Sequence, residues 1–577
     1  MWWHTGTMPH DISNLIIMST IQRNLVYQAI TRASASLDYN IHKGLQKQYE
    51  FIQQTILADN SLTEDEKTEA IRLVNNYLDR DKIFYNKGTR RICENCQKEC
   101  LATLYCEYCV RNYLIANFSN WTSGNNDIDD LIQQCQKEAL CPDMIVEWIP
   151  YYNLENIEYI TKGGFSEIYT AGWIGGCYEE WDSKKRQLER SKASPGEQNF
   201  VAAVILKKLE NIESASQSWF EEAKSHITIS SKHPRIVKCY GITQNPSNGS
   251  YMLVMSRMDV NLRQYLQQNH NQLTWKERIK IAFEIIDALR WIHEEKSIHR
   301  DLHSGNILYN QYQNYWRISD LGFCGPVNKS PRSIYGNLPY IAPEVIAGGK
   351  YTFASDVYSF AMLMWEISSG KPPFGNYEHD YYLAMNIING IRPRTVSGTP
   401  LEYKNLMKQC WDADPLKRPD INTLKYKISG INALYQNVSD ELDVNDNLET
   451  SNIETNYTSS KLFTSKVHQF ENFPEPRNAT EEEQKAFHSK SYEFSIPDNI
   501  DDFNNSNKQE NYISKSKTIS ILKDTNIKND YKGETTQHHN KKQNIEIDDK
   551  DDKDDEIYNN PNLHPENDEF EIPDDGF

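Results

Sequence analysis

The chain has 577 residues, 38% of them hydrophobic, with a mean hydropathy of −0.72 and a formal net charge of −19. That length exceeds one hydrophobic core, and the apolar share lies below the roughly 45–50% of ordinary globular domains, so several units and a sizeable unfolded part are expected. The acidic balance gives no general attraction to nucleic acid or an anionic membrane, no apolar run approaches the about 20 residues that span a bilayer, and Met1-Trp2-Trp3-His4 lacks the start of a signal peptide; the expected compartment is the cytoplasm, with the nucleus open.

Residues 14–85 read as a small helical region. Thr63-Glu64-Asp65-Glu66 has the form of a capping box, and Ala70, Ile71, Val74 and Leu78 recur behind it at helical spacing. Such periodicity reports burial, so packing or partner binding without chemistry is expected here. Two knuckles follow, Cys93-x-x-Cys96 and Cys106-x-x-Cys109. Four thiolates a short hairpin apart suit the tetrahedral shell of zinc, and closing that shell can fold a segment with little core. Residues 90–112 are therefore expected to form a zinc-ribbon-like segment ligated by Cys93, Cys96, Cys106 and Cys109, with Cys100 a spare thiol able to replace one ligand. The 11 cysteines are odd in number and otherwise scattered, which suits reduced thiols better than a disulfide framework. No dense basic patch with interleaved aromatics surrounds the knuckles, so a nucleic-acid finger is not expected.

Residues 113–155 read as a connector, leading to a strand at Ile157-Glu158-Tyr159-Ile160. Thr161-Lys162-Gly163-Gly164-Phe165-Ser166-Glu167-Ile168-Tyr169 then forms a glycine-rich loop before a second strand; backbone short of side chains can close over a triphosphate and offer its amides to the oxygens. A lysine follows on the strand Val204-Ile205-Leu206-Lys207, carboxylates on the helical Trp219-Phe220-Glu221-Glu222-Ala223-Lys224, and a further strand at Tyr251-Met252-Leu253-Val254-Met255. The most informative run is His299-Arg300-Asp301-Leu302-His303-Ser304-Gly305-Asn306, with Asp320-Leu321-Gly322 and Ala342-Pro343-Glu344 beyond it. Phosphoryl transfer needs a carboxylate beside the attacking hydroxyl, oxygen ligands for magnesium and a segment that holds the acceptor in line, and these motifs offer all three in order. Residues 434–577 turn to Asn, Ser, Asp, Glu and Lys and end in an acidic run, too poor in apolar groups to offset chain entropy; they are expected to be a disordered acidic tail. One cluster in it, Lys461-Leu462-Phe463 through Val467-His468-Gln469-Phe470, is a candidate docking element.

Residues 156–433 resemble a eukaryotic protein kinase domain, and within that superfamily the tyrosine-kinase-like group, especially its expanded fungal serine/threonine kinases, in which the run from His299 to Asn306 is common. The helical front, the cysteine segment and Trp121-Thr122-Ser123-Gly124 also resemble that set. The resemblance implies an α+β, two-lobed fold, ATP and Mg2+ as cofactors, and a protein acceptor in intracellular signalling. It implies Asp301 as the residue that takes or orients the acceptor proton, Asn306 and Asp320 as magnesium ligands, Lys207 on the α- and β-phosphates, and Glu222, in preference to Glu221, as its partner. Lys162, Gly163, Gly164, Phe165, Ser166, Ile168, Ile205, Met255 and Arg257 would line the nucleotide, with Met255 narrowing the pocket behind adenine. Asp356 would brace the catalytic loop, Arg418 would pair with Glu344, and Arg300 would read a phosphate on Ser330, Ser333 or Tyr335.

The pattern departs from the family in several places. Thr161 and Ser166 replace the first and third glycines, Ile205 stands where alanine usually faces adenine, and His303 and Asn337 replace the lysine and threonine of typical serine/threonine kinases, where they could form a substitute contact. The expected function is a protein kinase acting on serine and threonine, with dual specificity open; the alternative is a pseudokinase scaffold that binds partners without efficient transfer. Further protein partners are expected through the N-terminal helical region and the tail, and neither nucleic acid nor membrane.

Overall fold

The computed structural model describes residues 21–37, 41–162, 166–191, 200–209, 219–311, 313–326, 334–436, 465–470 and 473–489. Helices α1 (Arg23–Ala35), α2 (Leu45–Leu57) and α3 (Glu64–Tyr85) close around Val26, Ile30, Ile56, Ala70 and Val74. The capping box forms: Glu66 N donates to Thr63 Oγ1 at 3.3 Å and Thr63 N to Glu66 Oε2 at 2.9 Å. Gln22 N donates to the other carboxylate oxygen at 3.1 Å, so one side chain both starts α3 and fastens the beginning of α1 to it. The Thr63 amide and these further bonds hold the Glu66 carboxyl below its ordinary range against its burial. At the far end of α3, Phe84 packs edge-on against Trp291, 5.4 Å away, so the bundle rests on the large lobe described below.

The cysteine segment is a hairpin, β1 (Arg91–Ile92) and β2 (Glu99–Cys100), followed by α4 (Glu107–Ala116). Asp79 of α3 joins it to the bundle. Its carboxylate is fully buried and accepts from Thr103 N at 2.7 Å, Thr103 Oγ1 at 2.6 Å and Leu104 N at 2.8 Å, with Lys82 Nζ at 3.4 Å.

The small lobe comprises α5 (Asn126–Lys137), strands β3 (Glu147–Trp148), β4 (Leu154–Lys162), β5 (Glu167–Ile174), β6 (Tyr178–Asp182), β7 (Gln187–Arg190), β8 (Val201–Lys208), helix α6 (Trp219–Ser230), and strands β9 (Cys239–Gln244) and β10 (Tyr251–Ser256). One sheet has the order β3-β9-β10-β8-β5-β4, antiparallel throughout except for the parallel β3–β9 edge; β6 and β7 form a separate hairpin. The stretch expected as a connector thus contributes an edge strand and a helix: Ile128 and Ile132 of α5 share a core with Ala223, Ile227, Val237 and Leu253. Trp121-Thr122-Ser123-Gly124 is the approach to that helix. Asp129 accepts from Thr122 Oγ1 and Ser123 Oγ, each at 2.5 Å, and Asn125 caps the first turn.

In the large lobe come β11 (Val260–Asn261), α7 (Leu262–Asn269), α8 (Trp275–Glu294), β12 (Ser297–Ile298), β13 (Ile307–Asn310), β14 (Tyr315–Ile318), β15 (Gly325–Pro326) and β16 (Ile334–Gly336). Helices α9 (Pro343–Ile346), α10 (Phe353–Ser369), α11 (Tyr381–Ile388), α12 (Leu401–Cys410) and α13 (Ile421–Gln436) complete it. Its core runs through Ile285, Leu289, Tyr358, Phe360 and Tyr403, all at most 1% exposed. The tail contributes ordered structure as well. Strand β17 (Lys466–His468) pairs with β16, and α14 (Glu481–Ser489) lies against the same lobe, with Phe487 stacked on Tyr377 at 5.3 Å. Among the described residues no helix is long and apolar enough to cross a membrane.

Candidate active site

Strand alternation sets Ile205 and Lys207 on one face of β8, and the ladder pairs Ile168 with Lys207 and Met255 with Ile205. Four of the residues expected at the nucleotide are thereby gathered on three neighbouring strands. Met255 is buried, Ile205 is half-buried, and Arg257 is exposed beyond the end of β10. Lys162 is exposed at the end of β4, 3.5 Å from Glu167, while Ser166 is buried; Gly163, Gly164 and Phe165 lie outside the described residues.

Lys207 Nζ lies 2.7 Å from Glu222 Oε1 and 2.7 Å from Asp320 Oδ1, so Glu222, not Glu221, takes the lysine. Burial opposes the ammonium charge, but Asp320 and Glu222 together outweigh it and raise the Lys207 pKa above its ordinary value. Asp320 is likewise opposed by burial, yet the lysine holds its carboxyl well below the usual range. Burial pushes Glu222 upward against the attraction of Lys207. Sequence reasoning missed His226, one helical turn beyond Glu222. Its Nε2 accepts the backbone N–H of Leu321 at 3.1 Å, and burial, aided by Lys207, drives its pKa down to about 3. A neutral imidazole therefore couples α6 to Asp320-Leu321-Gly322.

The catalytic loop hangs on Asp356, which enters from α10. Its carboxylate accepts from His299 N at 2.8 Å, Arg300 N at 3.0 Å and His293 Nε2 at 2.8 Å. Arg300 has φ of 69°, a left-handed conformation that costs energy for a side chain of this size, and the two amide bonds hold it there. Asn306 Nδ2 donates to Asp301 O at 2.9 Å, which orients the amide and leaves Oδ1 as its cation-facing end. That amide oxygen and the Asp320 carboxylate are hard oxygen donors of the kind magnesium takes, and Lys207 supplies a cation for phosphate oxygens, so the residues present fit a metal-bound triphosphate.

Arg300 binds the activation segment through backbone: its guanidinium donates to Phe323 O at 3.0 Å and Gly325 O at 3.4 Å. With β17 in place, the Tyr335 side chain is buried. It is 6% exposed, stacked on Phe323 at 3.6 Å, and its main chain is clasped by the Tyr351 hydroxyl at 3.2 and 2.7 Å. Ser330 and Ser333 lie outside the described residues. Glu344 and Arg418 meet as expected, at 2.7 and 2.8 Å. His303 accepts from Gly305 N through Nδ1 at 3.0 Å and turns Nε2 toward Asp301, 3.7 Å from Oδ2, while Asn337 is buried in the activation segment. Asp301 Oδ1 accepts a hydroxyl that the sequence did not single out, that of Ser465 in the tail, at 2.7 Å.

The second site is the cysteine cluster. Cys93 Sγ lies 3.7 Å from Cys109 Sγ and Cys96 Sγ 3.6 Å from Cys106 Sγ, with all four sulfurs within 4.8 Å of one another. A tetrahedral shell with Zn–S bonds of about 2.3 Å has edges of about 3.8 Å, close to these separations. Cys100 is buried with its thiol directed at Ala102 O, 4.0 Å away, outside that quartet.

The sheet-topped cleft, the lysine shared by two carboxylates and the braced aspartate define a protein kinase domain. Residues 154–428 match the family model for protein tyrosine and serine/threonine kinases, so this part of the chain is a eukaryotic protein kinase domain. The chain is 30% identical over 327 residues, 53% of its length, to the Dictyostelium discoideum protein named "Probable serine/threonine-protein kinase roco5", of which the match covers 11%. It is 36% identical over 209 residues, 35% of its length and 22% of the relative's, to the human "Dual serine/threonine and tyrosine protein kinase". The mouse protein of the same name is 37% identical over 197 residues, 33% of this chain and 21% of that one. The chain thus matches less than a quarter of the length of these curated relatives.

Proposed function

We propose that the protein is an ATP- and magnesium-dependent kinase that phosphorylates serine and threonine hydroxyls of protein substrates, with tyrosine as a secondary acceptor. The observation that carries this is Lys207 held at 2.7 Å by both Glu222 and Asp320, in one cleft with Asp301 and Asn306. A binding-only scaffold has no chemical need for that set, which weighs against the pseudokinase alternative raised by Thr161, Ser166 and Ile205. Bound nucleotide and magnesium supply the transferable phosphoryl group and the charge that screens it. Lys207 orients the α- and β-phosphates, Asn306 and Asp320 hold the cation, and Asp301 orients the acceptor hydroxyl and takes its proton. Ile168, Ile205 and Met255 cover the base, and Lys162, Ser166 and Arg257 border the opening. The names of the relatives, serine/threonine and dual-specificity kinases, support the acceptor class.

The cysteine quartet is proposed to hold structural zinc, because four thiolates without an open position suit a closed structural site. The helical region and the tail are proposed as the surfaces that recruit or regulate. The decisive experiment is Asp301→Asn. Transfer of γ-phosphate to a mixed peptide library should fall by about 10²–10⁴ while nucleotide affinity changes little. Undiminished transfer in that variant would overturn the assignment.

A further inference from the structure

The tail crosses the catalytic loop with a serine at the position an acceptor must take. Ser465 Oγ donates to Asp301 Oδ1 at 2.7 Å and lies 3.1 Å from His303 Nε2. Its placement follows from main-chain pairing: β17 runs antiparallel to β16, with Ile334 opposite His468, Tyr335 opposite Val467 and Gly336 opposite Lys466. Adding a strand to the activation segment fixes register by backbone bonds, a recognised way to present an extended peptide. His468 reinforces the register by donating from Nε2 to Gly336 O at 3.0 Å. Gly336 lets the paired strand run close beside the catalytic loop, since a Cβ there would stand 3.2 Å from Asp301 Oδ1, and its φ of 135° suits glycine.

An anchor lies farther along the tail. Asn478 accepts from Ala413 N and donates to Asp412 Oδ1, both at 2.9 Å, and Gln484 Nε2 donates to Gly390 O at 2.7 Å. Gly390 is shaped to this contact: a Cβ on it would meet Ala479 N at 2.2 Å. Such a tether raises the effective concentration of the serine at Asp301 far above that of a free peptide.

Resting on the kinase reading above, we infer that Ser465 is an intramolecular substrate of this active site, phosphorylated in cis. In the step, Ser465 Oγ attacks the γ-phosphorus of ATP and a new O–P bond forms. The bond from that phosphorus to the β–γ bridging oxygen breaks, ADP leaves with the electron pair, and the hydroxyl proton passes to Asp301 and then to solvent. The product carries about −1.5 to −2 charge directly against the Asp301 carboxylate, so like-charge repulsion drives β17 out of the acceptor track and opens it to other proteins. Before transfer, the same segment competes with them.

The test incubates the full-length protein with ATP and magnesium, maps phosphate by mass spectrometry, and follows transfer to a mixed serine/threonine peptide library in parallel. Phosphate on Ser465 should appear with a first-order rate constant that is unchanged over a hundredfold range of protein concentration. The doubly substituted anchor variant Asn478→Ala, Phe487→Ala should slow that phosphorylation at least tenfold while lowering the KM for the peptides. Peptide phosphorylation with Ser465 unmodified overturns the inference and leaves the kinase assignment standing. A Ser465 rate proportional to protein concentration, or unaffected by loss of the anchor, also overturns it. Transfer to neither acceptor refutes both readings.

Discussion

Asp356→Asn exposes how closely stability and chemistry are joined in the catalytic loop. The substitution keeps the shape of a side chain that is 1% exposed but replaces one acceptor oxygen with an NH2 donor. Oδ1 accepts from Arg300 N, and Oδ2 from His299 N and His293 Nε2, so either orientation of the amide sets a donor against a donor. If the oxygen stays with His299 and His293, Arg300 loses the bond that holds its left-handed backbone, which costs on the order of 1–3 kcal/mol to maintain. A hydrogen bond to a charged group contributes about 1.5–3 kcal/mol, and the bonds that survive lose that charge, so destabilisation of about 3–5 kcal/mol follows. At roughly 2–4 °C per kcal/mol for a domain of this size, the melting temperature should fall by about 10 °C. Asp301 follows Arg300 directly, so kcat should drop by more than tenfold, whereas KM for ATP should hold within about threefold because Lys207, Glu222 and Asp320 are untouched. Calorimetry and steady-state peptide kinetics check both numbers. A melting temperature within 2 °C of the parent, with unchanged kcat, would refute the reasoning.

Arg418→Ala removes a guanidinium whose side chain is 0% exposed and leaves the Glu344 carboxylate without its counter-charge, with only the Ser355 hydroxyl still donating to it; loss of about 3–5 kcal/mol in denaturant unfolding is expected, and a loss below about 1 kcal/mol would count against it. Cys106→Ser should abolish stoichiometric zinc in elemental analysis and increase hydrogen exchange around residues 91–116, whereas Cys100→Ser should retain the metal. Docking of β17 should weaken in acid. Burial depresses the pKa of His468 below 6.5 and outweighs the hydrogen bond to Gly336 O that favours the protonated ring; Lys466 repels a proton there and Asp301 attracts one, while burial lowers His379, facing Lys466, to about 3. The docked form therefore binds fewer protons than the undocked form, so docking is fullest above pH of about 6.5 and is lost as pH falls below it. Hydrogen exchange over residues 465–489 should be faster at pH 5.5 than at 7.5 after correction for intrinsic rates, and flatter in His468→Gln; greater protection in acid would contradict this.

The kinase core was legible because phosphoryl transfer prescribes side chains at fixed spacing, and Lys207, Glu222, Asp301, Asn306 and Asp320 obey it. The capping box at Thr63 was legible for a similar reason, being a local hydrogen-bond pattern written in four residues. Asp79 and His226 were not. On a helix an acid or an imidazole normally reads as a solvated group, and what makes these two structural is a partner distant in sequence: Thr103 for one, Leu321 for the other. The same holds for residues 113–155, whose polar composition suggested a connector although Ile128 and Ile132 suffice to seat α5 in the small lobe. In the tail, average composition concealed a further capping box, Thr480 with Glu483, and the apolar cluster flagged near Val467 carried no indication of which surface it would meet. Tyr335 shows the converse: a loop hydroxyl looks modifiable until packing against Phe323 buries it.

Asp301 and Asp320 are the same residue type a short distance apart in sequence, and the different roles proposed for them accord with their neighbours. Asp320 is bound to Lys207 at 2.7 Å, which fixes its charge and suits it to hold a cation whatever the local proton supply. The Asp301 carboxylate faces the Ser465 hydroxyl at 2.7 Å and the His303 imidazole 3.7 Å away, the arrangement that the proposed proton-accepting role requires. Histidine replaces the lysine of typical serine/threonine kinases at that place, and it changes the balance. A lysine brings a permanent cation on a long stem, whereas the shorter ring, anchored through Nδ1 to Gly305 N, presents Nε2 to the Ser465 oxygen at 3.1 Å. The departure from the family pattern therefore preserves a polar contact to the hydroxyl at Asp301 through a different side chain, and it leaves the neighbouring carboxylate placed for the proton-accepting role proposed for it.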